Sequence, residues 1–160
     1  MLSPNTQNGA GVSPDAVDFT VVPSGFTGAV GDVVALDVTL SQATNATEGD
    51  RSSLWAVAVA PLDTHVKYGP VCVMLTTTAT GQKGRAKLVG KCRAYVHKAS
   101  GNIVKGDILA ASASGRYLEA SPSDGDRIVG RCLENVTSPS TAVLADVVID
   151  GIHGTGTYHS

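Results

Sequence analysis

The sequence predicts an all-β protein, a compact β-sandwich or β-barrel of about ten short strands with an extended N-terminal arm. Three observations carry that expectation. Charged residues make up only 16% of the 160 residues, against about a quarter in an average soluble domain. Ser, Thr, Gly, Ala and Val fill the deficit. These are residues of pleated surfaces and tight turns, whereas the surface-helix formers Glu and Lys are scarce. Apolar residues also recur with a period of two in one short run after another, and no stretch shows a convincing helical period. Turn-forming Gly, Asn, Asp and Ser clusters separate the runs.

Residues 1–16 are rich in Pro, Asn, Gly and Ser and lack periodicity, so they read as an extended arm that a partner would have to hold. They carry no basic residue and no apolar segment, and do not read as a secretory leader. VDFTVV (17–22) then places Val17, Phe19 and Val21 on one face of a strand. An arm ending in a strand suits clasping a neighbouring subunit; the plain alternative is a frayed terminus leading into the first strand. VVALDVTL (33–40) sets Val34, Leu36, Val38 and Leu40 against Ala35, Asp37 and Thr39, the pattern of a half-buried antiparallel strand. NATEGDRSS is a turn-rich connection. In LWAVAVA (54–60) the preceding Ser and Asp could cap a short helix, but the Val-rich alternation and Pro61 favour a strand.

VCVMLTT (71–77) is a further strand, followed by the turn ATGQKG. KCRAYVH (91–97) alternates cleanly, with Cys92, Ala94 and Val96 facing in and Lys91, Arg93, Tyr95 and His97 facing out. DILAA, YLEA, RIVGRCL and TAVLADVVI complete the set. Val17, Phe19, Val21, Phe26, Trp55 and Tyr95 are the candidate partner-interface residues, since aromatic side chains are enriched where binding energy concentrates. For Trp55 and Tyr95, a core or sheet-face position is the competing reading.

The same phrase is stated twice. Gly28 and Gly31-Asp32 precede VVALDVTL, followed by EGDR (48–51), WAVAVAP and YGPVCVML. Gly101 and Gly106-Asp107 precede ILAAS, followed by DGDR (124–127), IVGRCLE and TAVLADVVI. The step from Asp32 to Asp50 is 18 residues and that from Asp107 to Asp126 is 19. This spacing suggests an internal β-repeat over 22–76 and 98–152. Two separate domains of that size would each have a meagre core, so one domain over 17–152 is expected, with a Gly/His tail at 153–160. In each Gly-Asp pair, Gly supplies backbone freedom and Asp hydrogen-bonds its own backbone to set the turn, an architectural role.

Little chemistry surrounds this architecture. A formal charge of −2 argues against nucleic-acid or anionic-membrane partners. The densest basic stretch, Lys83, Arg85, Lys87, Lys91 and Arg93, is spaced as the solvated face of a strand pair. No run of 18 apolar residues is present. Cys72, Cys92 and Cys132 sit singly in apolar runs and read as small buried thiols. No C-x-x-C or H-x-x-x-H pair points to a metal, and the carboxylate pairs in EGD and SDGDR lack the further ligands of a calcium loop. Of the four histidines, His65, His97, His153 and His159, the last two lie in a Gly-rich tail too loose for a catalytic triad, and no G-x-S-x-G elbow accompanies any of them. No catalytic, metal-binding or cofactor-binding residue is assigned.

The stretch GNIVKGDILAASASGRYLEASPSDGDRIVGRCLENV, closed by STAVLADVVIDG, resembles the β-module of capsid decoration (cement) proteins of tailed bacteriophages. The shared order is a G-x-x-x-x-GD-x-L step, a short hairpin opening on Gly, a G-x-x-x-(V/I)-G-(R/K)-(C/A)-L-E strand and a closing V-x-V strand. Here these steps fall on Gly101 to Leu109, Gly115 to Ala120, Gly125 to Glu134 and Ala142 to Ile149. The resemblance implies a non-enzymatic virion protein that binds the outer surface of an assembled capsid and stabilises it as a homotrimer. It implies the major capsid protein and further copies of this chain as partners, no cofactor, synthesis in the host cytoplasm and residence at the capsid surface. Tail-fibre and baseplate β-modules share the phrase, so a module attaching a receptor-binding part is an alternative. A small β-fold enzyme with an intersubunit site is a more distant one. The polar N-terminal arm departs from the family pattern.

Overall fold

A computed structural model describes residues 16–21, 27–36, 55–58, 70–112, 115–123 and 126–151, and among these the protein is all-β, with no helix. The strands of the first half are β1 (Ala16–Val21), β2 (Thr27–Gly28), β3 (Val33–Leu36), β4 (Trp55–Ala58), β5 (Val71–Met74), β6 (Thr78–Ala79) and β7 (Lys83–Lys87). Those of the second are β8 (Val89–His97), β9 (Ile108–Ala111), β10 (Leu118–Glu119), β11 (Ile128–Cys132) and β12 (Val143–Asp150). LWAVAVA therefore contributes a strand. Ten strands close into two five-stranded barrels, ordered β1-β4-β3-β5-β7 and β10-β8-β12-β11-β9, and β2 pairs with β6 in a separate ribbon.

The two barrels share one connectivity. Numbering the five strands of each ring along the chain, both run first-third-second-fourth-fifth, and the fifth returns to the first. In both, the first and third strands are parallel (β1 with β4, β8 with β10) and every other pair is antiparallel. Gly31-Asp32 before β3 thus corresponds to Gly106-Asp107 before β9, as the sequence spacing suggests. Beyond that point the topology sets β4 against β10, β5 against β11 and β7 against β12. The two GDR triplets stand before different strands, third in one ring and fourth in the other. A turn signal recurs at any corner, so a matching interval between two such signals does not make the corners equivalent.

Those corners have a common construction. Asp32 Oδ2 accepts from Ala29 N at 2.9 Å while Asp32 N donates to Ala29 O at 3.1 Å. Asp107 makes the same reciprocal pair with Val104, at 3.0 and 2.9 Å, and Asp126 with Ser123, at 2.6 and 3.0 Å. Gln82 does so with Ala79, its Oε1 accepting at 2.9 Å. The preceding glycine has positive φ, 93° at Gly31 and 97° at Gly106, the conformation a type II turn requires and side chains resist. Gly sets the bend and the next side chain locks it.

In the second barrel the interior is narrow, as five strands require, and small and branched residues fill it. Ala94 is in register with Ala145, Val96 with Leu118, and Cys132 with Val147. All six are fully buried, as is Leu109. The alternation read in KCRAYVH holds here for Lys91, Arg93, Ala94 and Val96. In β3 and β5 it does not: Val33, Val34, Ala35, Cys72, Val73 and Met74 are all without exposure. One face of this pair, Val33, Ala35, Val71 and Val73, joins the hydrophobic cluster that fills the second barrel. The half-buried reading of VVALDVTL is therefore corrected for its first three residues, which are buried on both faces. Leu36 is the last described residue of that run, and the remainder lies outside the described residues.

Backbone hydrogen bonds tie the barrels together. Tyr95 N donates to Gly31 O at 2.9 Å, Val33 N to Arg116 O at 3.1 Å, and Val71 N to Gly151 O at 2.9 Å. Gly151 N in turn reaches Leu88 O at 2.8 Å.

Candidate functional site

One group of polar residues converges at this junction. Asp32 comes from the turn before β3, Tyr95 from β8, Arg116 and Tyr117 from the β9–β10 hairpin, and Ala142 from the segment before β12. Together they line a cleft of about 320 Å³. Arg116 Nη1 donates to Thr27 O at 2.7 Å and to Asp32 Oδ2 at 3.1 Å. A hairpin of the second barrel is thereby clamped to a turn of the first. Glycine permits the close packing here: a Cβ at Gly31 would overlap the Leu144 side chain, and one at Gly115 would overlap the Tyr117 ring.

Behind Tyr117 lies His97, with ring centroids 4.8 Å apart and planes at 43°. His97 Nδ1 faces Glu119 Oε2 at 2.7 Å and Nε2 faces the carbonyl oxygen of Ser140 at 3.2 Å. Both ring nitrogens thus have an oxygen partner within hydrogen-bonding distance, which fixes the ring in place. His97 does not project freely from the polar face, as the sequence pattern suggests; its side chain is only 19% exposed. Glu119 comes from β10, in register with His97, and Tyr117 and Ser140 from loops, all distant in sequence, so the local alternation cannot show them. His65, His153 and His159 lie outside the described residues.

The thiols offer no reactive group. Burial pushes Cys72 well above the ordinary thiol range, Cys92 up to about 11, and Cys132 upward as well. All three are free and protonated at neutral pH, which makes them poor nucleophiles and poor ligands. Among the described residues no group of three or more His, Cys, Asp or Glu side chains converges as a metal site would require. The basic stretch divides between β7 and β8, and Lys91 and Arg93 pair with Asp146 of β12 at 2.9 and 3.7 Å.

Of the candidate interface residues, Val17, Phe19 and Val21 lie on β1 and Trp55 on β4. Phe19 is in register with Trp55, and Val21 with Val57. Phe26 lies outside the described residues. Tyr95 stands apart from this strand pair, at the junction cleft. Sequence reasoning passed over Arg116, which sits in what reads as a plain Ser/Gly turn. The one available signal was an Arg-Tyr pair at a hairpin tip in a chain otherwise poor in both charge and aromatics.

No protein-family model matches the sequence, and no curated protein matches it. Among solved structures the chain is similar to the head fiber gp8.5 N base of bacteriophage phi29. The TM-score is 0.49 with 11% identity, over 84% of this chain and 92% of that one.

Proposed function

We propose that the protein is a non-enzymatic structural component of a tailed-phage virion, which binds the outer surface of the assembled capsid as a trimer and stabilises the shell. The observation that carries this reading is where the decoration-protein phrase falls. Its four steps lie on β9, β10, β11 and β12, four of the five strands of one closed barrel. The resemblance thus follows four consecutive strands of one ring, with β8 outside it, rather than a scatter of turn residues. The first barrel repeats its connectivity.

The architecture also limits how such a protein can attach. Among the described strands, each closed ring spends its backbone donors and acceptors on itself and leaves edges for pairing only on the short β2–β6 ribbon. Attachment then rests on side chains, loops and the terminal segments, with β1 and β4 carrying the candidate residues Val17, Phe19, Val21 and Trp55. Stabilisation needs no change in the shell's own contacts. A protein that binds only the assembled lattice lowers its free energy by mass action, and three linked copies add weak contacts through effective concentration. Sedimentation with purified capsids of the phage that encodes the chain tests the reading. Saturable pelleting with the shell, and a trimer mass free or bound, are expected. Protein that stays in the supernatant at every ratio, or a strict monomer in both states, would contradict it.

A further inference from the structure

We propose that the cleft between the two barrels, walled by Asp32, Tyr95, Arg116, Tyr117 and Ala142, is a binding site for a neutral saccharide. This inference stands independently of the capsid reading.

The cleft is built before any ligand arrives. Two of its lining residues are anchored by backbone bonds, from Tyr95 N to Gly31 O and from Val33 N to Arg116 O. Arg116 is held at two points, Thr27 O and Asp32 Oδ2, yet 35% of its side chain stays exposed. Groups already fixed in place lose little freedom when a ligand binds. The volume, about 320 Å³, lies at the small end of small-molecule sites, which run from about 300 to 1,000 Å³.

The chemistry of the walls selects the ligand. Two aromatic rings stand among a few convergent polar groups, the composition typical of such sites. The face of an aromatic ring is electron-rich and suits the ring C–H groups of a pyranose. Around the rings, Asp32 supplies an acceptor, Arg116 a donor, and the two tyrosines hydroxyls that do both. Sugar hydroxyls likewise donate and accept, so they match a mixed set of this kind. Charge narrows the class further. The Arg116 guanidinium is balanced by the Asp32 carboxylate at 3.1 Å, so a ligand with its own formal charge would have to compete with that pair. A neutral sugar would not.

The test is a two-dimensional NMR titration of the full chain with glucose, galactose, mannose, N-acetylglucosamine and their disaccharides. At least one should shift the amides of Tyr95, Arg116, Tyr117 and Ala142 together, saturating in the millimolar range. Ala142→Trp fills the cleft from its rim and should weaken binding by about tenfold or more, the scale of losing one desolvated contact, with the melting temperature unchanged. Should that variant fold poorly, Tyr117→Leu keeps apolar bulk, removes ring and hydroxyl, and should weaken binding similarly. Absence of cleft shifts with every neutral sugar overturns the proposal. So do shifts confined to another surface, binding untouched by the cleft variants, or tighter binding of glucuronate or glucosamine than of glucose.

Discussion

Alanine at Asp32 and at Asp107 separates what a turn contributes from what the barrel junction adds. The two aspartates occupy equivalent corners and accept the same backbone hydrogen bond, from Ala29 N at 2.9 Å and Val104 N at 3.0 Å. Asp107 has one further neighbour, Lys98 Nζ at 3.5 Å, too long to add much. Losing a single side-chain to backbone bond costs about 1 kcal/mol, which is the expected cost of Asp107→Ala. Asp32 also holds Arg116, and its side chain is only 13% exposed. Because Arg116 is itself partly solvated, the ion pair adds about 0.5–1 kcal/mol, so Asp32→Ala should cost about 2 kcal/mol. For a chain of this length that lowers the melting temperature by about 4–8 °C, against about 2–4 °C for Asp107→Ala. Urea unfolding of the single variants and of each combined with Arg116→Ala completes the cycle. Coupling between Asp32 and Arg116 should be about 0.5–1 kcal/mol, while Asp107 and Arg116 should be additive within about 0.5 kcal/mol. Equal costs for the two aspartates, or equal coupling to Arg116, would refute the reasoning.

Other perturbations give equally definite expectations. Gly106→Ala meets no atom within 4 Å and pays only for its positive φ, about 1–2 kcal/mol; Gly31→Ala adds an overlap with Leu144 and should cost more in the same denaturation assay. His97→Ala strips Glu119, whose Oε1 is already buried without a partner among the described residues, of the ring bonded to its other oxygen, so thermal melts should show a loss of about 1–3 kcal/mol. The buried thiols should resist alkylation at neutral pH until the chain unfolds. They also set an alkaline limit: their stabilising contribution is complete below the ordinary thiol pKa of about 9 and is lost as pH rises toward about 11 at Cys92, since only unfolded thiols ionise in that window. Stability should fall there by about 1.4 kcal/mol per pH unit for each thiol held neutral, readable as a falling urea midpoint. Deleting residues 1–14, which spares β1, should weaken capsid attachment and leave the melting temperature of the isolated protein nearly unchanged.

The all-β class was legible because composition and a period of two report directly on pleated, turn-rich chains. β8 shows the clearest agreement, with Ala94 and Val96 buried and Lys91 and Arg93 exposed, because one of its faces meets solvent. β3 and β5 lose the alternation because a second barrel covers the face that a lone sheet would wet. The Gly-Asp corner before β3 and β9 was legible because side chain and backbone jointly demand those two residues. Which strands correspond beyond it was not legible, because EGDR and DGDR mark turns without saying which strands they join. The junction cleft was hidden for a different reason. Arg116, Asp32 and Tyr95 are far apart in sequence and meet only when two rings pack, which no local pattern encodes.

The central claim, that this chain coats the outside of an assembled shell, is tested most directly by electron cryo-microscopy of capsids saturated with the purified protein. The account predicts added density outside the shell that accommodates two five-stranded barrels per chain, three chains around each local three-fold axis. An outer capsid surface unchanged by saturating protein, or barrels found on the tail instead, would contradict it.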